Sequence, residues 1–305
     1  MGQERSRSSI GAGLDVVADQ WTLLILRELF AGVETWKGLS ESLAISPATL
    51  KRRLTQLIDV GCLERQQQPG RKLVRYLLTP PGLDLFPFMM AAREWQMRWD
   101  ARPEAKVSRW YHSCGEPLRC AAYCQSCDGR LINAEVGLVE QDTQIIKFSS
   151  KARRYRGVSA ETAVNSPVRN PERPLIVDVL GDSRTTVVMA ALLRGIYKFD
   201  AIQQFTGLPP ATISSRLRRI QLLGLGHARL YQESPDRMLY EPSKSGRDLL
   251  GLALQLMQWG NRWLVGSTHL ATQAIHQTCG QQLGSVMRCQ HCHGVVSLDQ
   301  VVHKS

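Results

Sequence analysis

The sequence predicts a mainly α chain with small β hairpins, an α+β fold in which one unit is built twice. Three observations carry this. Cys114, Cys124 and Cys127 recur as Cys279, Cys289 and Cys292, each set reading Cys-Gly and then Cys-x-x-Cys, with nine residues between its first and second cysteines. Other residues repeat in nearly the same register. Within each copy, amphipathic helical stretches give way to short alternating runs joined by turn residues.

The repeat is dense enough to exclude coincidence. Asp15-Val-Val-Ala-Asp19 matches Asp178-Val-Leu-Gly-Asp182, and Pro47-Ala-Thr49 matches Pro210-Ala-Thr212, both at an offset of 163. Tyr76, Gly82, Trp95 and Trp99 match Tyr240, Gly246, Trp259 and Trp263 at 164, and the cysteines match at 165. Each unit therefore spans roughly 120 residues, an ordinary domain size.

The first unit reads as follows. Leu14 to Phe30 is an apolar-rich helix carrying Trp21-Thr-Leu-Leu-Ile-Leu-Arg27, and a shorter helix follows around Trp36 to Leu43. Ser46 suits an N-cap and Pro47 the first helical position, so a third helix runs from Pro47 to about Val60, where Gly61 ends it. Leu50, Leu54 and Leu57 form its inner face; Ala48, Thr49, Lys51, Arg52, Thr55 and Gln56 point away. Two short helices joined by a tight turn, the second polar and basic on its free side, make a helix-turn-helix.

Leu63–Gln67 and Leu73–Leu78 then form a hairpin around Pro69-Gly70-Arg71-Lys72, a turn with two cations at its tip. This is a wing. Thr79 caps a long helix to about Trp99, with Pro80 and Pro81 in its first turn. The second unit repeats the plan. Its recognition helix runs from Pro210 to about Leu223 on an inner face of Ile213, Leu217 and Ile220. Its wing carries Ser234-Pro-Asp-Arg237, and Ser243 caps a long helix ending near Trp263.

Five segments result: a winged helix-turn-helix at 1–103, a Cys-rich zinc-ribbon-like knuckle with short strands at 104–150, a basic and Pro-rich linker at 151–174, a second winged helix-turn-helix at 175–266, and a second knuckle at 267–305. The linker holds Lys151-Ala-Arg-Arg-Tyr-Arg156, and Val136–Val139 and Gln144–Phe148 are candidate extra strands of the first knuckle.

The 305 residues carry 38 Lys+Arg against 27 Asp+Glu, a formal charge of +11 that favours a polyanionic partner. The candidate contacts with double-stranded DNA are Ser46, Thr49, Lys51, Arg52, Arg53, Gln56, Arg71, Lys72 and Arg75 in the first unit. In the second they are Thr212, Ser214, Ser215, Arg216, Arg218, Arg219 and Arg237. No apolar run approaches a membrane span, and Met1 to Ser9 lack the apolar core of a signal peptide, so a cytoplasmic protein without a membrane partner is expected. No nucleophile–base pair or cofactor fingerprint is visible, so an enzyme is not expected.

The stretch Leu14-Asp15-Val-Val-x-Asp-x-Trp21-Thr-Leu-Leu-Ile-Leu-Arg27 closely resembles the first helices of the HxlR-type winged helix-turn-helix transcriptional regulators. Ile45-Ser-Pro-x-x-Leu50, Gly61-Cys-Leu-Glu-Arg65 and Tyr76-x-Leu-Thr79 resemble the same family. The resemblance covers about Leu14 to Trp99, and more weakly Ile176 to Trp263, where Arg184 replaces Trp21. It implies a bacterial regulator that binds operators as a dimer and responds to a small-molecule effector, with repression the expected sign. Sensors of this family often carry a cysteine before the first long helix; Ser8 stands about there, so the usual thiol switch is not expected. Cys62 occupies a place that is usually apolar and reads as a small buried hydrophobe.

Structural zinc takes four nitrogen or sulfur ligands. Each copy offers three cysteines, so one ligand is open. His276 lies three residues before Cys279, with His291 and His293 as competitors; in the first copy His112 and Cys120 are the candidates. The favoured sets are His112, Cys114, Cys124, Cys127 and His276, Cys279, Cys289, Cys292, one zinc ion in each copy's own knuckle. A redox disulfide at Cys124/Cys127 or Cys289/Cys292, and thiols without metal, are the other uses. A catalytic zinc is not expected, because the deaminase pattern is absent.

One chain with two winged helices predicts an intramolecular pseudo-dimer, or a homodimer of such chains, presenting recognition helices to neighbouring half-sites. The competing class is a zinc-containing protein–protein interaction module or a redox-responsive regulator using the Cys-x-x-Cys clusters.

Overall fold

The computed structural model describes residues 9–67, 73–102, 109–132, 136–139, 174–233, 236–265 and 273–304. The tip of the first wing with Arg71 and Lys72, the basic hexamer 151–156 and the candidate strand 144–148 lie outside them.

The first unit contains α1 (Ser9–Val17), α2 (Gln20–Phe30), α3 (Trp36–Leu43), α4 (Pro47–Asp59), β1 (Leu63–Gln67), β2 (Val74–Leu78), α5 (Pro80–Leu83) and α6 (Phe86–Trp99). Then come β3 (Trp110–His112), β4 (Cys120–Cys124) and β5 (Val136–Val139). The second unit contains α7 (Leu175–Leu180), α8 (Ser183–Leu193), α9 (Phe199–Thr206), α10 (Pro210–Leu222), β6 (Gly226–Glu233), β7 (Asp236–Pro242), α11 (Lys244–Arg247) and α12 (Leu250–Gly260), which runs on as a π-helical turn, Asn261–Val265. β8 (Gln273–His276), β9 (Gln281–Gln282), β10 (Ser285–Cys289) and β11 (Val301–His303) follow.

Two expected helices are broken. Leu14 to Phe30 divides into α1 and α2, because Asp19 leaves helical geometry to cap α2, accepting from the Trp21 and Thr22 amides at 3.0 and 3.1 Å. Asp182 caps α8 in the same way, accepting from the Arg184 amide at 3.2 Å. The long helix expected from Thr79 is a short α5 followed by α6, the chain turning at Asp84 and Leu85.

In each unit the turn helices pack on the hairpin. Leu50, Leu54 and Leu57 of α4 are buried, as are Ile213, Leu217 and Ile220 of α10. β1 pairs with β2 and β6 with β7, both antiparallel. The chain before each turn adds a short rung to its hairpin: Thr35 bridges Arg75, and Lys198 bridges Leu239.

The halves are joined by contacts that repeat across a pseudo-twofold axis. Trp95 Nε1 donates to the Ser245 carbonyl at 2.8 Å, and its counterpart Trp259 donates to the Pro81 carbonyl at 2.7 Å. Arg98 pairs with Asp248 at 2.9 Å and Arg262 with Asp84 at 2.8 Å. Trp99 and Trp263 donate to the same two carboxylates at 3.0 and 2.8 Å. Near the axis, Asp19 bridges its own counterpart Asp182. Such reciprocal contacts define an isologous interface, here within one chain.

The Cys-rich segments are interlaced, against the expectation of two separate knuckles. β4 pairs with β10, β3 with β11 and β5 with β8, so each strand of one copy lies against a strand of the other. In the first pair Cys124 faces Ser285, Cys120 faces Cys289, and the equivalent residues Ala122 and Met287 meet at the centre. Val136–Val139 is indeed a strand, but it extends the second copy's β8. The sequence signals which residues form strands; which copy supplies the partner is a choice of connectivity that periodicity does not carry.

The interface has one especially close approach. A Cβ added to Gly260 in α12 would lie 2.3 Å from the Ser9 carbonyl of α1, whereas one added to Gly251 in the same helix meets nothing within 4 Å. Gly260→Ala is expected to destabilise the protein by about 1–3 kcal/mol, since the obstacle is backbone. Gly251→Ala is expected to be neutral or to stabilise by about 0.5–1 kcal/mol through helix propensity. Urea denaturation of the two variants checks the pair; equal effects would contradict the close packing of α1 on α12.

Candidate nucleic-acid interface and metal centres

The outer face of α4 is set by its start. Ser46 accepts from the Thr49 amide at 3.4 Å, and Pro47 begins the helix. This orientation leaves Ala48, Lys51, Arg52, Thr55, Gln56 and Asp59 lining one shallow solvent-facing depression. Ser46, Lys51, Arg52 and Gln56 are exposed and Thr49 is half-buried.

Arg53 lies at the edge of that face. One end of its guanidinium turns inward to Asp19, the residue that caps α2, and the other donates to Gln56 Oε1 at 2.8 Å. The second unit repeats the device: Arg216 lies 3.3 Å from Asp182, and only 16% of its side chain is exposed. Arg219 donates to the Asp178 carbonyl at 3.0 Å. These three arginines, expected to face nucleic acid, instead fasten the recognition helix to the chain near the pseudo-twofold axis. Burial of its guanidinium lowers the Arg216 pKa from the ordinary arginine value.

On α10, Ser214 and Arg218 are exposed while Thr212 and Ser215 are half-buried. Leu222, 65% exposed, stands where the first unit has Asp59. The outer face of the second helix is thus poorer in cations than that of the first. On the wings, Arg75 of β2 is paired with Glu34, and Arg237 is exposed beside the tip of the second hairpin, opposite Gln232.

The eight candidate metal ligands converge in two groups, but not the groups expected. His112 and Cys114 of the first copy meet Cys289 and Cys292 of the second; Cys124 and Cys127 of the first meet His276 and Cys279 of the second. Within each group all four donor atoms lie within 4.8 Å of one another. His276 Nδ1 is 3.3 Å from Cys127 Sγ and 3.4 Å from Cys279 Sγ, and Cys124 Sγ is 3.9 Å from Cys279 Sγ. His112 Nδ1 is 3.3 Å from Cys292 Sγ. A tetrahedral ion with bonds of about 2.3 Å to sulfur would have S···S edges of about 3.8 Å. Donor type, number and spacing all suit such an ion.

Local backbone geometry prepares each half-site. Gly115 and Gly280 sit at φ of 92° and 68°, turning the chain tightly after Cys114 and Cys279. Beyond each Cys-x-x-Cys, Asp128 and His293 adopt φ of 55° and 58°, and the Gly129 and Gly294 carbonyls accept from the Cys124 and Cys289 amides, both at 2.9 Å. His112 Nε2 lies 3.3 Å from the Val295 carbonyl; a proton donated there leaves Nδ1 as the free lone pair facing the sulfurs.

The thiols divide by environment. Burial pushes Cys124 up, but the backbone N–H groups of Cys127 and Ser126 favour its thiolate and hold it at about 7. The Gly294 N–H lowers Cys292. Burial raises Cys289. Burial likewise drives Cys120 well above the ordinary thiol range and Cys62 up to about 12. Cys120 belongs to neither group and faces Cys289 in the strand pair; Cys62 is fully buried. Both are core residues. Cys-x-x-Cys spacing picked out these candidate ligands; only the strand pairing reveals that each group draws on both copies.

A family model described as HxlR-like helix-turn-helix matches residues 16–104 and 179–268, together more than half of the chain. The uncharacterized HTH-type transcriptional regulators Rv3095 of Mycobacterium tuberculosis and Mb3122 of Mycobacterium bovis are each 37% identical to this chain over 123 residues, covering 39% of this chain and 77% of the relative. The crystal structure of PA1607 is 26% identical, with a TM-score of 0.39 over 42% of this chain and 91% of that one. Among the described residues no helix is long and apolar enough to cross a membrane.

The crossed ligand sets can be separated by counting bound metal. His112→Ala with Cys289→Ser damages one crossed site and should leave one ion per chain. His112→Ala with Cys124→Ser damages both and should leave none. Sites local to each copy would give the opposite pattern by elemental analysis.

Proposed function

The chain belongs to the HxlR-like helix-turn-helix family, and on that premise we propose that it is a sequence-specific DNA-binding transcriptional regulator, a repressor, that grips an operator with both recognition helices of one polypeptide. The observation that carries this is the reciprocal interface: within one chain the two units meet through matching contacts at Trp95/Trp259, Arg98/Arg262 and Asp19/Asp182.

In this account α4 and α10 enter successive major grooves about 34–36 Å apart. Exposed side chains of the helices read base edges, and the wings and surface cations neutralise phosphate. Lys51, Arg52 and Gln56 offer one half-site a basic, amide-bearing face. Ser214 and Arg218 offer the other a sparser one. The operator is therefore an imperfect palindrome, and the first unit supplies more of the base discrimination. Arg53, Arg216 and Arg219 act as positioning residues that set each helix against the axis.

We assign zinc to the two crossed sites on the fit of their donors. His112, Cys114, Cys289 and Cys292 would hold one ion, and Cys124, Cys127, His276 and Cys279 the other. Zinc bound there would supply four-coordinate cross-links and no catalysis, since four protein ligands leave no open position. Each cross-link ties residues more than 100 apart, so it restrains the separation of the halves as well as the local strands.

Selection of operators from random duplexes tests the DNA reading. Arg52→Ala is expected to relax base preference in one half-site by about 1–3 kcal/mol and leave the other unchanged. Equal loss in both halves would contradict the asymmetric assignment. Affinity for random duplex DNA is expected to fall steeply as salt rises; absence of binding even at low salt would favour a protein partner. Strong chelator is expected to lower the melting temperature, and an unchanged transition would remove zinc from the account.

A further inference from the structure

Beside the interface lies a cavity of about 60 Å³ that the fold does not require. Its wall draws on three elements of the second unit and on α1 and α6 of the first: Leu180, Met189, Leu193, Leu250, Ile10 and Phe88 are among its lining residues. The lining is almost wholly hydrocarbon. The Thr186 hydroxyl within it already donates to the Asp182 carbonyl at 3.0 Å, and the Arg194 guanidinium at the rim lies over the Phe205 ring, 5.1 Å from its centroid.

The first unit shows how the same place can be filled. At the positions equivalent to Leu193 and Leu250 it carries Phe30 and Phe86, whose rings are in contact at 5.3 Å. Phe86 packs in turn on Trp110 at 5.8 Å. The counterpart of Trp110 is Ala274: the Trp110 carbonyl accepts from Leu118 N and the Ala274 carbonyl from Leu283 N, both at 2.7 Å. Three packed aromatics in one half are thus two leucines and an alanine in the other. Well-packed interiors rarely leave such space, and an apolar void stays dry and takes apolar guests.

We propose that this cavity is a binding site for a small uncharged apolar group, the end of a short alkyl chain; a single ring calls for a void of about 150 Å³. Recognition is by shape and by removal of hydrocarbon from water, because the polar groups of the wall are already engaged. Its far wall is shared with a metal centre: Leu250 and Leu254 pack in one cluster with Cys124, and Ile10, Leu193 and Cys279 pack against that cluster. An occupant would therefore touch both the α1–α12 contact and the support of the Cys124 site.

The test uses the full chain with its metal, with xenon and propane as probes and thermal unfolding as the readout. Both probes should raise the melting temperature saturably. Leu193→Phe and Leu250→Phe, which copy the first unit, should abolish the rise while retaining the wild-type circular dichroism spectrum. Ala253→Met, which copies Met89, gives a third filling should either Phe variant fold poorly. No saturable rise in the wild-type protein, or an undiminished rise in the well-folded filled variants, would overturn the proposal.

Discussion

The contact on which the rest depends is the antiparallel pairing of β4 with β10. It lays a strand of one copy against the equivalent strand of the other, with Ala122 and Met287 at the centre. Because the pairing is antiparallel, Cys124 and Cys289 emerge at opposite ends of the ladder, each beside the histidine-bearing turn of the other copy. The crossed metal centres follow from that geometry. So does the fixed relation of the two long helices, α6 and α12, which pack over this ladder and donate their tryptophan N–H groups to the opposite half.

The recognition helices are tied to the same axis by a second set of contacts. Asp19 and Asp182 each cap a helix, bridge one another, and receive an arginine from the recognition helix, Arg53 and Arg216 respectively. At each of these positions the carboxylate links the start of a core helix to the helix that faces outward, while the backbone makes the bridge across the pseudo-twofold axis. A half-buried pair of this kind contributes only modest net stability. Its value is positional: it fixes where Lys51, Arg52 and Gln56 stand relative to Ser214 and Arg218.

Much of this was legible in the sequence. The helix-turn-helix elements followed from Ser46-Pro47, the apolar spacing of Leu50, Leu54 and Leu57, and the Gly61 stop; α3 and β1 lie where periodicity put them. Cys-Gly and Cys-x-x-Cys spacing with a histidine nearby singled out the eight residues that gather into two groups able to hold a metal ion. Three things were not legible. Helical periodicity continues through Asp19, so only its capping role reveals the break before α2. An arginine on a recognition helix carries no sign of whether it turns to solvent or to Asp19. A duplicated ligand set looks the same whether it closes within its own copy or across to the other. The last two are long-range pairings, and long-range pairing is what local pattern omits.

The central claim is that one polypeptide supplies both halves of the DNA grip. The mass of the complex between the protein and a duplex carrying a single selected operator, measured by sedimentation equilibrium, tests it most directly. The account predicts one chain per duplex across the concentration range in which binding saturates. A complex that forms only with two chains per duplex would contradict it.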